Sequence, residues 1–188
     1  MFDRITPFAH RKIKEIVNKN DIVIDMTAGN GNDTLFLSKI AKHVYSFDIQ
    51  EPAIQVTRNL LDTHSITNVT LIHDGHQNID QYIKDKIKCA VYNLGYLPSA
   101  DKSISTLSST TLDSIKKTLN LIMIDGFISI TVYTGHKEGY EESLQLTEFV
   151  TSLPSKLYNV ILYSTLNKKN APYNIFIEKI GEKNEKNI

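Results

Sequence analysis

The sequence predicts a doubly wound α/β fold: a mostly parallel, seven-stranded sheet with a C-terminal antiparallel hairpin. Three observations predict it. Apolar runs of strand length alternate with stretches whose apolar residues recur at helical spacing. The first run leads into a small-residue turn with two glycines, and a helix follows at once. The last two strand-like runs, Val160 to Ser164 and Asn174 to Glu178, are joined through Asn167 to Pro172, too short for a crossover helix. That pair must therefore run antiparallel.

Each element follows in order. Pro7 to Lys19 reads as an extra helix ahead of the sheet, and Asp21 to Met26 as the first, buried strand. Leu35, Phe36, Leu37, Ile40 and Ala41 mark a helix, and Val44 to Phe47 the second strand. Pro52 opens the next helix, where its missing N–H costs nothing. Ala53, Val56 and Leu60 are its expected buried stripe. Val69 to Ile72 is the third strand and Ala90 to Leu94 the fourth. Leu112, Ile115, Leu119 and Ile122 recur at helical spacing, and Phe127 to Tyr133 is the fifth strand. Leu146, Phe149, Val150 and Leu153 form a last helical stripe, stopped by Pro154. One domain is expected over residues 1–180, with the polar segment 181–188 frayed.

Composition narrows the function. A chain of 188 residues, 41% hydrophobic and 22% charged, can bury one sizeable core. Lys plus Arg and Asp plus Glu both number 21, so no general basic excess marks a nucleic-acid binder. RNA would have to be held by shape or by local patches, such as His10-Arg11-Lys12 with Lys14, or Asn167-Lys168-Lys169-Asn170. The single cysteine allows no internal disulfide, which suits a reducing, cytoplasmic setting. The first four residues carry no apolar signal region, and the longest apolar stretch is too short to span a bilayer. No Cys/His spacing suggests zinc or another metal.

The most informative stretch is Val23-Ile24-Asp25-Met26-Thr27-Ala28-Gly29-Asn30-Gly31-Asn32-Asp33-Thr34. A small-residue turn lets a ligand approach the backbone, and the N–H groups of the following helix face it. Three acids stand at successive strand ends. Asp25 lies inside the first, where a buried carboxylate needs pairing by a ligand ammonium or backbone N–H groups. Asp48 ends the second strand, where a carboxylate accepts from two ribose hydroxyls. Asp74 ends the third, within reach of an exocyclic adenine amine. A nicotinamide enzyme would want a third glycine where Thr34 stands and has no use for Asp25. An adenosyl ligand without a pyrophosphate fits better.

The stretch Asp25 to Gly31 resembles motif I of class I S-adenosylmethionine-dependent methyltransferases, with Thr27 in place of their usual first glycine. The longer string Ile24 to Thr34 resembles a narrower bacterial family long labelled "putative rRNA methylase". So do Phe47-Asp48-Ile49-Gln50, His73-Asp74-Gly75-His76, Asn93-Leu94-Gly95-Tyr96-Leu97-Pro98 and Tyr133-Thr134-Gly135-His136. Members of that family resemble tRNA methyltransferases that convert 5-aminomethyluridine at the wobble position to 5-methylaminomethyluridine. The likeness runs from about Ile5 to Ile180. It implies a Rossmann-like fold, S-adenosylmethionine as cofactor and the anticodon region of tRNA as partner. Carried over by position, it sets Ala28, Gly29, Asn30, Gly31 and Asn32 along the methionine part of the cofactor. Asp48 and Gln50, with Ile49 between them, would hold the ribose. Asp74, Gly75 and His76 would surround the adenine.

Asn93-Leu94-Gly95-Tyr96 resembles the Asn/Asp-Pro-Pro-Tyr motif of amino-group methyltransferases, with both prolines replaced. There the Asn carbonyl accepts from the substrate amine and aims its lone pair, while the ring stacks on the base. Methyl transfer from a sulfonium needs alignment and a neutral nucleophile. An alkylamine titrates near lysine, at about 10.4, so an acceptor near the site would help. Tyr133, His136 and Tyr140 follow the fifth strand and border the cleft in this fold; His136 is the preferred acceptor. His10, His43 and His64 read as surface or packing residues. Cys89, short of the fourth strand's end, is expected to be inert core, which argues against nucleophilic carbon methylation. The resulting expectation is an amine methyltransferase acting on a tRNA wobble uridine, with homodimerisation one way to hold the RNA. A small-molecule methyltransferase, a non-catalytic adenosyl-binding module and, last, a nicotinamide oxidoreductase are the alternatives.

Overall fold

The computed structural model describes residues 4–94, 108–134 and 137–182. Among them, seven strands form one sheet: β1 (Ile22–Asp25), β2 (His43–Asp48), β3 (Val69–His73), β4 (Ile87–Leu94), β5 (Ile122–Val132), β6 (Tyr158–Tyr163) and β7 (Tyr173–Lys179). Their order is β3-β2-β1-β4-β5-β7-β6. The first five strands are parallel. β7 inserts antiparallel between β5 and β6, so the hairpin joins the sheet through its second strand. The helices are α1 (Ile5–Ile16), α2 (Asn32–Ser38), α3 (Glu51–Thr63), α4 (Ile79–Tyr82), α5 (Ser108–Leu121) and α6 (Lys137–Thr151). A 3-10 turn, His76–Asn78, precedes α4. The doubly wound, Rossmann-like arrangement expected from the sequence is the one observed.

The central strands are buried on both faces, which is why apolar residues stand at consecutive positions along them, broken only by small buried polar residues such as Ser46, Ser129 and Thr131 in their buried stretches. Side chains alternate along them. In β4, Cys89 and Val91 join Val23, Val44 and Phe127 in the core layer shared with α1 and α2. Ala90 and Tyr92 join Ile24, Phe47, Ile128 and Ile130 in the layer that α5 and α6 cover with Ile115, Leu119, Leu146 and Val150. Tyr92 is fully buried, and its hydroxyl bonds to Ser114 and Thr118, each at 2.9 Å. On the other face α1 docks beside β5 and β7, with Phe8 stacked on Tyr163 (ring centroids 3.7 Å apart) and edge-on to Phe176.

Two expectations about the helices are corrected. The buried stripe of α3 is Ala53, Ile54, Thr57 and Leu61, while Val56 is exposed. Thr57 turns inward because it packs against the glycine turn after β1, where its hydroxyl donates to the Gly29 carbonyl at 3.4 Å. Ile122 opens β5 instead of closing α5, pairing with Ile87 across a register irregularity. It is buried all the same, so the apolar pattern did not distinguish the two.

Candidate functional site

All five parallel strands end at one edge of the sheet. Neighbouring crossovers diverge between β1 and β4, the topological switch point where α/β sheets of this kind bind ligands. The register aligns Asp25 with Ser46, Asp48 with His73, and Asn93 with Thr131. Every site residue the sequence singled out that the structure describes therefore lies along that edge or just past it.

The turn after β1 is held on both sides. The Ala28 N–H donates to the Phe47 carbonyl and the Gly31 N–H to the Ala28 carbonyl, at 2.8 and 2.7 Å. Gly29 and Gly31 take left-handed φ of +54° and +79°. A methyl group on Gly31 would come within 3.1 Å of the Thr57 backbone and of Leu60, so α3 approaches the loop too closely for any side chain. Asn30 and Asn32 face outward. Thr27, where the resemblance expects a glycine, accepts the Asn93 N–H on its hydroxyl at 2.9 Å and so ties the loop to the end of β4.

Asp25 is fully buried and paired without a cation. It accepts the Thr27 N–H at 3.1 Å and the Thr34 hydroxyl at 2.6 Å. Thr34 also bonds to the Ser46 hydroxyl at 2.8 Å. Burial, and then the charge of Asp33, push the Asp25 carboxyl up to about 7 against these hydrogen bonds. Thr34, noted in the sequence only as a missing glycine, is thus the principal donor to the buried acid. Neither its role nor that of Ser46 had a local sequence signal.

The other two acids keep acceptor capacity. An ionised carboxylate has about four lone-pair positions. Asp48 spends one on the Gly29 N–H and one on the Gln50 N–H, both at 2.9 Å, so among the described residues about one is left free on each oxygen. Such an arrangement suits a vicinal diol. Asp74 accepts from the Gly75 N–H (2.7 Å), Asn78 (3.0 Å) and Tyr82 (2.8 Å). Partial burial raises its carboxyl, but the three hydrogen bonds outweigh that and hold it below its usual value. Gln50 caps α3 and Ile49 is exposed beside it. His76 is buried edge-on to Tyr92, and burial depresses its imidazole to about 4, so it is neutral. Among the described residues its Nδ1 is a buried polar atom without a hydrogen-bond partner, as expected of a group that meets a polar ligand.

At the end of β4, the Asn93 side-chain amide donates to Asp33 Oδ2. The other Asp33 oxygen accepts from His10 Nε2. His10 reaches the site from α1, with its ring stacked on Phe36 at 4.0 Å. The ring thus packs, as the sequence reading allowed, and in addition reaches Asp33, a contact that reading did not foresee. Tyr133 follows β5 close by. Burial raises its phenol, offset by a hydrogen bond with Thr6 and reinforced by the charge of Asp33. The side chain of Tyr140 is exposed on α6. Tyr96 and His136, with Gly95 and Gly135, lie outside the described residues.

Cys89 is buried, and burial drives its thiol well above the ordinary value, so it is no nucleophile at neutral pH. Among the described residues no cluster of His, Cys, Asp or Glu is placed to hold a metal ion. No described helix is long and apolar enough to cross a membrane.

Comparison with known proteins gives the family and the fold. The family described as "Putative rRNA methylase" matches residues 44–179, well over half of the chain. An Arabidopsis thaliana protein named tRNA (mnm(5)s(2)U34)-methyltransferase, chloroplastic, is 35% identical over 94% of this chain and 69% of its own length. A protein from Streptococcus mutans, described as a putative methyltransferase and solved in complex with SAH, superposes with a TM-score of 0.91. It is 45% identical and is covered completely, against 96% of this chain. A Clostridium thermocellum protein described as a putative rRNA methylase superposes at 0.93 with 39% identity, over 96% of this chain and all of its own.

Proposed function

The chain belongs to the rRNA methylase family and is a methyltransferase, and on that premise we propose that it transfers a methyl group from S-adenosylmethionine to the 5-aminomethyl nitrogen of the tRNA wobble uridine. The product is 5-methylaminomethyluridine. One observation carries the reading to an amine. A carboxamide, Asn93, stands at the switch point with its backbone tied to the glycine loop through Thr27. The name of the Arabidopsis relative supports the nucleoside and the RNA partner.

The residues present fit the cofactor. The free lone pairs of Asp48, with Ile49 and Gln50 beside it, suit the ribose hydroxyls. Asp74, Gly75 and the unpartnered His76 Nδ1 suit the adenine. Ala28 to Asn32 lie along the methionine part, with Asp25 bracing the loop from below. The bound sulfonium supplies an electrophilic methyl carbon. Asn93 Oδ1 accepts an N–H of the substrate amine, which turns the nitrogen lone pair toward that carbon. The nitrogen–carbon bond forms as the carbon–sulfur bond breaks, and the extra proton on nitrogen leaves afterwards. Tyr96 is the expected stacking platform for the base. Tyr133 and His136 are the expected polar groups on the proton path. The cytoplasm is the expected setting, and the exposed part of the α1 basic face, Arg11 and Lys14, the expected contact for the anticodon region.

Nucleoside mass spectrometry of tRNA from cells lacking the protein tests the reading. Accumulated 5-aminomethyluridine that purified protein and S-adenosylmethionine convert to the methylated form supports it. An unchanged nucleoside profile refutes it. Methylation of the free nucleoside as fast as of whole tRNA replaces it with a small-molecule amine methyltransferase.

A further inference from the structure

We propose that Asp33 and His10 are positioning residues that fix which way the Asn93 carboxamide points; this rests on the reading of Asn93 as the group that aligns the amine. A primary amide has one end that accepts and one that donates, and only the accepting end can hold an amine N–H. Left to itself at a strand end, such a group turns over freely, and the flipped form would present N–H groups to the nucleophile. The structure supplies a one-sided lock. Asp33 Oδ2 meets the Asn93 side chain, and a carboxylate only accepts, so the Nδ2 end must face it. Oδ1 is then left facing away from Asp33, available to the substrate.

The lock is itself held. Asp33 Oδ1 takes the N–H of His10 Nε2, and the imidazole lies flat on Phe36 at 4.0 Å with 6° between the planes. The Asn93 main chain is pinned separately by the Thr27 hydroxyl. Rotation about the Asn93 side-chain bonds is the freedom that remains, and Asp33 removes it. Asp25, the other acid near Asp33, does not compete for the amide, because its two oxygens are taken up by Thr27 and Thr34. Three elements far apart in sequence, α1, α2 and β4, thus converge on one amide group. Held in advance, its orientation lowers the barrier without strengthening ground-state binding.

A double-mutant cycle under single-turnover conditions tests this, with tRNA carrying 5-aminomethyluridine and saturating S-adenosylmethionine. SAH calorimetry on each variant checks that the cofactor site is formed. Asn93→Ala should slow the maximal rate by about a hundred- to a thousandfold. Asp33→Ala should slow it by roughly tenfold or more, leaving the tRNA concentration at half-maximal rate within about threefold. The double variant should be no slower than Asn93→Ala within about threefold, because Asp33 acts only through Asn93. Losses that multiply, a loss confined to the half-saturating tRNA concentration, or an unimpaired Asp33→Ala would overturn the proposal and leave the role of Asn93 standing. A fully active Asn93→Ala would overturn that role and the proposal with it. If Asp33→Ala does not bind SAH, the same cycle with His10→Ala decides, by the same criterion of non-multiplying losses.

Discussion

Gly29 and Gly31 both take left-handed φ, but only one of them faces a wall, and this lets two physical effects be measured apart. An alanine at Gly29 would meet nothing nearer than the Thr27 carbonyl at 3.8 Å. Its cost is then backbone strain alone, about 1–2 kcal/mol. An alanine at Gly31 carries the same strain at φ +79° and also sets a Cβ 3.0 Å from Thr57 Oγ1, 3.1 Å from Leu60 Cδ2 and 3.1 Å from Thr57 Cα. Overpacking of this kind adds roughly 1–3 kcal/mol, so Gly31→Ala should cost about 2–5 kcal/mol. For a chain of this size each kcal/mol lowers the melting temperature by roughly 2–4 °C. Urea denaturation of both variants, without cofactor, measures the difference. Leu60 can move and the Thr57 backbone cannot. Adding Leu60→Ala to Gly31→Ala should therefore return part of the contact term, making the pair less destabilised than the sum of the singles. Equal losses at the two glycines would refute the reasoning, since contact with α3 would then contribute nothing.

Thr34→Val removes the 2.6 Å donor to Asp25 and the partner of Ser46, and should cost about 1–3 kcal/mol in urea denaturation; a loss under about 0.5 kcal/mol would mean the buried carboxyl is satisfied some other way. Asp25, raised by burial to about 7, stays protonated in the folded state across a range where the unfolded chain, titrating near the ordinary value of 3.8, has released its proton. Its contribution to stability is therefore full below pH 4 and is lost as pH rises toward 7, so cofactor-free Asp25→Asn should show a flatter stability profile over that window, and an unchanged slope would contradict the assignment. Asp48→Ala removes two charged acceptors and should weaken SAH binding at least tenfold by calorimetry; unchanged affinity would move the ribose site elsewhere.

The order of elements was legible because burial on both faces of β1, β2, β4 and β5 leaves short, mostly apolar runs, and a pattern of that kind needs no tertiary knowledge. The glycine loop and the acids at Asp25, Asp48 and Asp74 were legible for a related reason: in a parallel sheet every strand end falls at the same edge, so counting to the end of each run finds the site. Where that counting considered apolar residues alone, it missed. Thr57 is buried because Gly31 leaves a place for it, and that displaced the stripe of α3 away from Val56. Thr34 differs from the dinucleotide glycine in a way the sequence shows, but its reason, a hydroxyl aimed at Asp25 beside Ser46, exists only once β1, β2 and α2 are brought together.

His10 marks the limit most clearly. Its neighbours Arg11 and Lys12 make a basic helix start, and nothing local separates it from them. Its partner lies 23 residues on, and the next link in the chain, from Asp33 to Asn93, spans 60. What selects His10 is the docking of α1, set by Phe8 against Tyr163 and Phe176, two aromatic residues from the C-terminal hairpin. If the hairpin fixes where α1 lies, it also sets the reach of His10 to Asp33, so Tyr163→Ala, which removes the ring stacked on Phe8, should slow single-turnover methyl transfer while leaving SAH affinity by calorimetry unchanged; an unaltered rate would show that α1 is held without it.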